Sequence, residues 1–262
     1  VRIALGIEYD GSDFHGWQTQ DGVPSVQEAL EQALSNVADH PVRVVVAGRT
    51  DTGVHALSQV AHFDTDARRD MRGWVFGANS QLPRGVAVLW AQPVDEAFHA
   101  RFSARARRYR YVILNRPSRP GLLHNRVTWE CRPLDEQRMR AAAVHLLGEH
   151  DFSAYRALGC QAKSPVRTLH RLEVRRQGEF ITIDAEANGF LHHMVRNIAG
   201  VLIAVGCGKA DPDWAREVLV GRDRTLGGVT APPGGLYFVA VRYPEPYRFP
   251  EAPGGAGILG YG

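Results

Sequence analysis

The apolar positions of this chain follow two spacings, and the places where one gives way to the other mark out its elements. Arg2–Tyr9 alternates apolar with small or polar residues, the period of a strand with one buried face. In Ser25–Asn36 the spacing changes: Val26, Ala29, Leu30, Ala33 and Leu34, with Val37 beyond, line one side of a helix, and Ser25 and Glu28 stand at the spacing of a capping box. Val42–Ala47 is short and β-branched and predicts a buried strand, followed by a strand at Gln59–Asp64. A weaker helix over Met71–Gln81 stops before Pro83, and Val86–Gln92 closes the first half as a strand. The second half starts over with strands at Arg107–Asn115 and Val127–Arg132. A helix over Asp135–Leu147 follows, then strands Leu169–Arg176 and Phe180–Ala187 joined by a turn at Gln177-Gly178. Phe190–Val205 is an apolar helix, Asp211-Pro212 opens another, and Leu236–Tyr243 is the closing strand.

Each half thus runs β-α-β-β-α-β, the second with additions, which is the split pattern of ferredoxin-like domains. The expected fold class is α+β: two ferredoxin-like (RRM-like) α/β domains whose antiparallel sheets flank a central basic cleft. The expected domains are residues 1–104 and 105–247, followed by a flexible Gly-rich tail over 248–262. A length of 262 residues is ample for two such cores without covalent staples.

Charge separates the halves. Residues 1–104 hold 8 Lys/Arg and 13 Asp/Glu, a balance of −5, whereas residues 105–262 hold 23 and 15, a balance of +8. The basic half is the natural face for a polyanion, since neutralising phosphates releases counterions. Apart from Lys163 and Lys209 every cation is arginine, whose planar fork suits phosphates and bases, although a GC-rich genome would give the same bias. Cys131, Cys160 and Cys207 form no C-x-x-C pair and are odd in number, which argues against a disulfide framework or thiolate zinc site and for a reducing cytoplasm. Ile198–Cys207, the longest apolar stretch, is too short to span a bilayer, and Val1–Tyr9 lacks the pattern of a secretory leader.

The chemistry concentrates in Ala47-Gly48-Arg49-Thr50-Asp51-Thr52-Gly53-Val54-His55-Ala56, a loop between two strands. Two glycines allow tight turns, and between them stand a cation, an anion and two hydroxyls. An ionised Asp51 beside a guanidinium can serve as a nucleophile or base; it can equally form an Asx turn with its own backbone. Arg101, Arg105, Arg107, Arg108 and Arg110, interleaved with Phe102 and Tyr109, give the mixture of basic and aromatic residues expected at a nucleic-acid surface, or a charged strand face in solvent. Arg196 lies in an otherwise apolar segment, where a cation needs a partner. His192 and His193 are adjacent and on a helix would point to different sides, and His145 and His150 miss the i, i+4 spacing of a helical zinc pair. No P-loop or Rossmann glycine pattern is present.

Ala47–Ala56 resembles the signature loop of the tRNA pseudouridine synthase A family, A-G-R-T-D-x-G-V-H-A, with Thr52 where most members have Ala. Further likenesses follow in family order: Tyr9-Asp10-Gly11, Phe14-His15-Gly16-Trp17-Gln18, Ser103–Tyr111, His150-Asp151-Phe152-Ser153, Asn188–Asn197 and Gly234-Gly235-Leu236-Tyr237. The resemblance implies that uridines at positions 38, 39 and 40 of the tRNA anticodon stem-loop are isomerised to pseudouridine, without metal or cofactor, by a homodimer. It implies Asp51 as the essential aspartate and Tyr109 as the active-site tyrosine. It further implies Arg196 as the cation paired with the aspartate and Leu236 as a packing residue beside the uracil; the site would then lie between the domains. Arg49 is expected to hold phosphate or a flipped backbone. From residue types alone Tyr109 reads equally as a strand tyrosine packed in the core, and Leu236 reads as a core residue at the start of a strand. A noncatalytic RNA-binding protein and a glycosylase using the same carboxylate are the rival functions.

Overall fold

The computed structural model describes residues 1–250. The chain divides into two compact units, Val1–Arg105 with the segment from Tyr237 onward, and Ala106–Leu236. Both are mixtures of helices with a mostly antiparallel sheet.

The first unit runs β1 (Arg2–Tyr9), α1 (Val26–Ala38), β2 (Val45–Val46), β3 (His55–Asp64), α2 (Met71–Asn79) and β4 (Val86–Val94). Its strands lie in the order β4-β1-β3, with β1 antiparallel to both neighbours. The other edge of β3 is shared. β2 pairs with its end through Val45↔His62 and Val46↔Ala61, and Tyr237 and Phe238 of the closing strand pair in parallel with His55 and Ala56 at its start. The cap at Ser25 forms as expected, its hydroxyl accepting from the Glu28 N–H. Val26, Leu30, Ala33 and Leu34 are all buried; each large apolar side chain so removed from water stabilises the fold by about 1.5–3 kcal/mol. The expected strand at 42–47 shrinks to two residues because α1 competes for its backbone. The Val42 N–H donates to Ser35 Oγ and the Val44 N–H to the Glu31 carboxylate, so neither joins a ladder. β3 begins four residues earlier than the alternation suggested, which shortens the loop carrying Asp51.

Ala4, Ala47, Val60, Phe98 and Ala100 form a core cluster against which Trp90, Tyr243, Tyr247 and Phe249 pack. The Phe249 ring stacks on Trp90 with centroids 5.0 Å apart, so packed chain continues past residue 247. The rest of the expected tail, residues 251–262, lies outside the described residues.

The second unit runs β5 (Ala106–Asn115), β6 (Thr128–Glu130), α3 (Glu136–Val144), β7 (Gly148–Asp151), β8 (Val166–Gln177), β9 (Phe180–Ala187), α4 (Met194–Gly206) and α5 (Trp214–Gly221). Its strand order is β5-β9-β8-β7, antiparallel throughout, with β6 parallel on β5. The β8–β9 hairpin turns at Gly178, whose φ of +58° favours glycine. α4 is apolar nearly all round and is buried along its length. It starts four residues later than expected, because His193 takes a left-handed φ of 61° and closes a turn ahead of the helix. No helix among the described residues is long and apolar enough to cross a membrane. The closing strand is β10 (Leu236–Arg242).

Candidate functional site

Asp51 sits on a loop bonded to neutral groups of the first unit at several of its bends. The Gly48 carbonyl accepts from Gln59 Nε2 at 2.7 Å. The Thr50 carbonyl accepts from the Trp17 N–H at 3.0 Å, and its hydroxyl meets Tyr9 Oη at 2.7 Å. The Gly53 N–H donates to the Phe14 carbonyl and the Val54 N–H to the Asp51 carbonyl. Beneath the loop runs the 11–18 segment, and there glycine is required. Gly16 has φ +88°, and a Cβ on it would lie 2.7 Å from the Thr50 carbonyl oxygen. The His55 Nδ1 accepts from the Gly11 N–H at 2.9 Å, and its ring stacks on Tyr237 at 4.8 Å. Burial pushes the Tyr9 hydroxyl up to about 12, opposed by its bonds to Thr50 and Gln59, so it stays protonated at neutral pH. On this base Asp51 is half-buried, while Arg49 and Thr52 are exposed. Gln59 had no signal in the sequence beyond membership of a strand, and Tyr9 was marked only by the Tyr9-Asp10-Gly11 likeness.

In the second unit Tyr109 lies on β5 opposite Ala185. Its ring is buried and meets Phe190 edge-on, with centroids 5.0 Å apart. Arg196 occupies the first turn of α4 and is half-buried. Its Nε donates to the Ala231 carbonyl at 2.8 Å, and the Ala231 N–H returns a bond to the Arg196 carbonyl. The loop that supplies Ala231 is tied down by Arg224, whose Nη2 donates to Asn197 Oδ1, the Gly228 carbonyl and Thr230 Oγ1. Leu236 is buried at the start of β10, after a turn at Pro233–Gly235. The Tyr111 hydroxyl donates to the Pro232 carbonyl at 2.7 Å, and burial raises its pKa. Arg224, which helps to hold this segment, went unrecognised in the sequence, since a loop arginine has no pattern of its own; Tyr111 was marked only as the end of the Ser103–Tyr111 likeness.

The arginine run divides by exposure. Arg101 and Arg105 are exposed, and Arg107 and Arg108 are half-buried. Arg107 donates to the Asn188 carbonyl and Arg108 reaches Asp184 at 3.3 Å. Arg110 departs from the expected RNA-facing role. It is 7% exposed, and its Nε and Nη2 hold both oxygens of buried Asp184 at 3.0 and 3.1 Å. The alternation of β5 turns it inward beside a carboxylate that burial alone would not tolerate. The adjacent histidines also differ from expectation. They precede α4, and the left-handed His193 brings the two rings to 4.0 Å between centroids.

Residues 6–103 and 142–244 match the model of the family described as tRNA pseudouridine synthase. Asp51, Arg196 and Leu236 fall inside the matched spans, and Tyr109 falls between them. A protein of Nitrosococcus oceani named tRNA pseudouridine synthase A is 62% identical over 251 residues, covering 96% of this chain and 97% of its own. Proteins of the same name from Alcanivorax borkumensis and Pseudomonas aeruginosa are 60% and 58% identical, over 97% and 95% of this chain and 95% and 88% of theirs. That coverage fixes the class, an isomerase, and the chain belongs to the tRNA pseudouridine synthase family.

Proposed function

We propose that this isomerase converts uridine to pseudouridine at positions 38, 39 and 40 of the tRNA anticodon stem-loop, with Asp51 as the catalytic carboxylate. The observation that carries the reading is the placement of Asp51. A family-matched span sets it on a short loop pinned by buried neutral groups, the kind of rigid support a reacting carboxylate needs.

The reaction detaches uracil from its ribose and rejoins it through carbon 5, so the glycosidic C–N bond breaks and a C–C bond forms, while the proton on carbon 5 leaves and the freed N1 takes one up. Tyr109 offers a flat ring for the extruded base and a hydroxyl for proton transfer. Stacking worth about 1–3 kcal/mol offsets the few kcal/mol needed to unstack the target. Arg196 supplies positive charge for the carboxylate, Leu236 packs beside the base, and Arg49 with Arg101, Arg105, Arg107 and Arg108 binds the phosphate backbone. No metal or cofactor enters this scheme. The working form is a homodimer in the cytoplasm. The two units are read as ferredoxin-like domains, a reading supported by the β4-β1-β3-β2 order of the first.

Incubation with tRNA labelled by tritium at uracil carbon 5 tests the proposal. Wild type should release label from the anticodon arm while the tRNA mass stays unchanged. Base loss, and hence a lower mass, would instead identify a glycosylase.

A further inference from the structure

Between β4 and β5 lies an irregular loop whose construction the proposed chemistry does not require. Every backbone N–H from Ala97 to Ser103 is bonded inside the protein. Asp95 Oδ1 accepts from Ala97 and Phe98 at 3.0 Å each. The His99 N–H donates to Ser103 Oγ at 2.9 Å, and the Ser103 N–H returns to the His99 carbonyl at 2.9 Å. The Ala100 N–H donates to the Nδ1 of buried His62 at 3.1 Å, while Tyr243 Oη donates to the Ala100 carbonyl at 2.7 Å. The His99 Nδ1 accepts from both Arg101 and Phe102, at 3.2 Å. Both histidines must be neutral to accept, and burial together with nearby Arg2 holds their pKa values down, that of His62 to about 4. Phe98 roots the loop in the core, fully buried among Tyr243, Tyr247 and Phe249.

What this frame presents is an aromatic ring in solvent. Phe102 is 75% exposed. The His99 ring lies at 4.3 Å and 30° from it, and the Arg101 guanidinium carbon at 5.6 Å from its centroid. Arg105 is exposed three residues on. A large apolar side chain left in water loses the stabilisation of burial, and here it is fixed in place by a loop with no slack. An exposed ring on a braced loop with a guanidinium group beside it is an arrangement on which an unpaired nucleobase stacks while its phosphates meet the cations.

We infer that Phe102, with Arg101 beside it, is a stacking platform for an unpaired nucleobase of the RNA substrate, separate from the reacting uridine. The inference rests on the proposed activity toward tRNA, and it makes Phe102 a binding residue with no part in the chemistry. His99 is a positioning residue, acting through the turn it caps.

The test measures the affinity of the full chain for unmodified tRNA by filter binding, with Phe102→Ala, Phe102→Leu and Phe102→Trp, alongside tritium release. Phe102→Ala and Phe102→Leu should weaken binding about tenfold or more, and Phe102→Trp should stay within about twofold of wild type. Turnover at saturating tRNA should be unchanged in all three, so that KM moves and kcat does not. The salt dependence of binding should keep its slope in the Phe102 variants and become shallower by about one in Arg101→Ala. Tight binding by Phe102→Leu would overturn the platform, as would a loss that tracks a lower melting temperature or a change in oligomeric state, which would assign the ring to protein contact. Absence of tritium release by wild type is a different failure, that of the activity itself.

Discussion

The loop carrying Asp51 and the segment around Arg196 are both rigid, but they are built from opposite materials. The first is braced mostly by uncharged donors and acceptors: the Tyr9 and Thr50 hydroxyls, the Gln59 amide, and backbone brought close by Gly16. The second is braced by arginine. Arg196 and Arg224 donate to carbonyls and amides of the chain itself, as Arg138, Arg140 and Arg176 do elsewhere in the same unit. The lesson concerns charge counting. Much of the excess positive charge of the second half is structural, with guanidinium groups closing open carbonyls where a helix or strand would otherwise have done so. An arginine frame keeps a fixed cation at a fixed place.

That contrast can be broken most severely at Arg110. Arg110→Ala leaves Asp184 buried without its bidentate partner, and should lower stability by about 3–5 kcal/mol in denaturant titration. The salt slope of tRNA binding should not change, since a residue facing inward releases no counterions. A shallower slope with full stability would return Arg110 to the RNA surface. Next in size is Arg224→Ala, which removes three bonds from the loop behind Arg196. About 2 kcal/mol of stability should be lost, with a fall in kcat larger than any change in KM because the loop that holds the guanidinium shifts. If KM alone moved, the loop would be a binding element and not a brace.

The smallest effect sharpens the comparison from the neutral side. His62 has a native pKa near 4 against an ordinary value of 6.5. The unfolded chain therefore takes up this proton first as the pH falls. Its contribution to stability is complete above about pH 6.5 and is lost progressively toward pH 4. Arg2, Asp64 and His99 are the charged or titratable groups that act on it. A series of melting temperatures between pH 7 and 4.5 should decline more steeply in wild type than in His62→Asn. Parallel curves would mean that the ring does not remain neutral in the folded state.

The fold was legible where the signal was local. Ser25 and the apolar face of α1 lie within a dozen residues of one another, and the Gly178 turn fixes its hairpin by backbone conformation alone. It was illegible where partners are distant. Nothing near Val42 or Val44 reveals that Ser35 and Glu31 take their N–H groups. β7, spelled Gly-Glu-His-Asp, is polar and half-exposed and has no strand signature. In the candidate site, the Asp51 loop stood out by its unusual charge and by its resemblance to a known motif. The inward turn of Arg110 did not stand out, because the sequence of β5 gives no sign that Asp184 lies across the ladder on β9.

One substitution bears on the central claim most directly. Asp51→Asn keeps the size of the side chain and removes its nucleophilic charge. With tritium-labelled tRNA it should lower label release by at least about 10⁴-fold while binding tRNA within about twofold of wild type. Release at the wild-type rate would show that the reaction does not pass through this carboxylate.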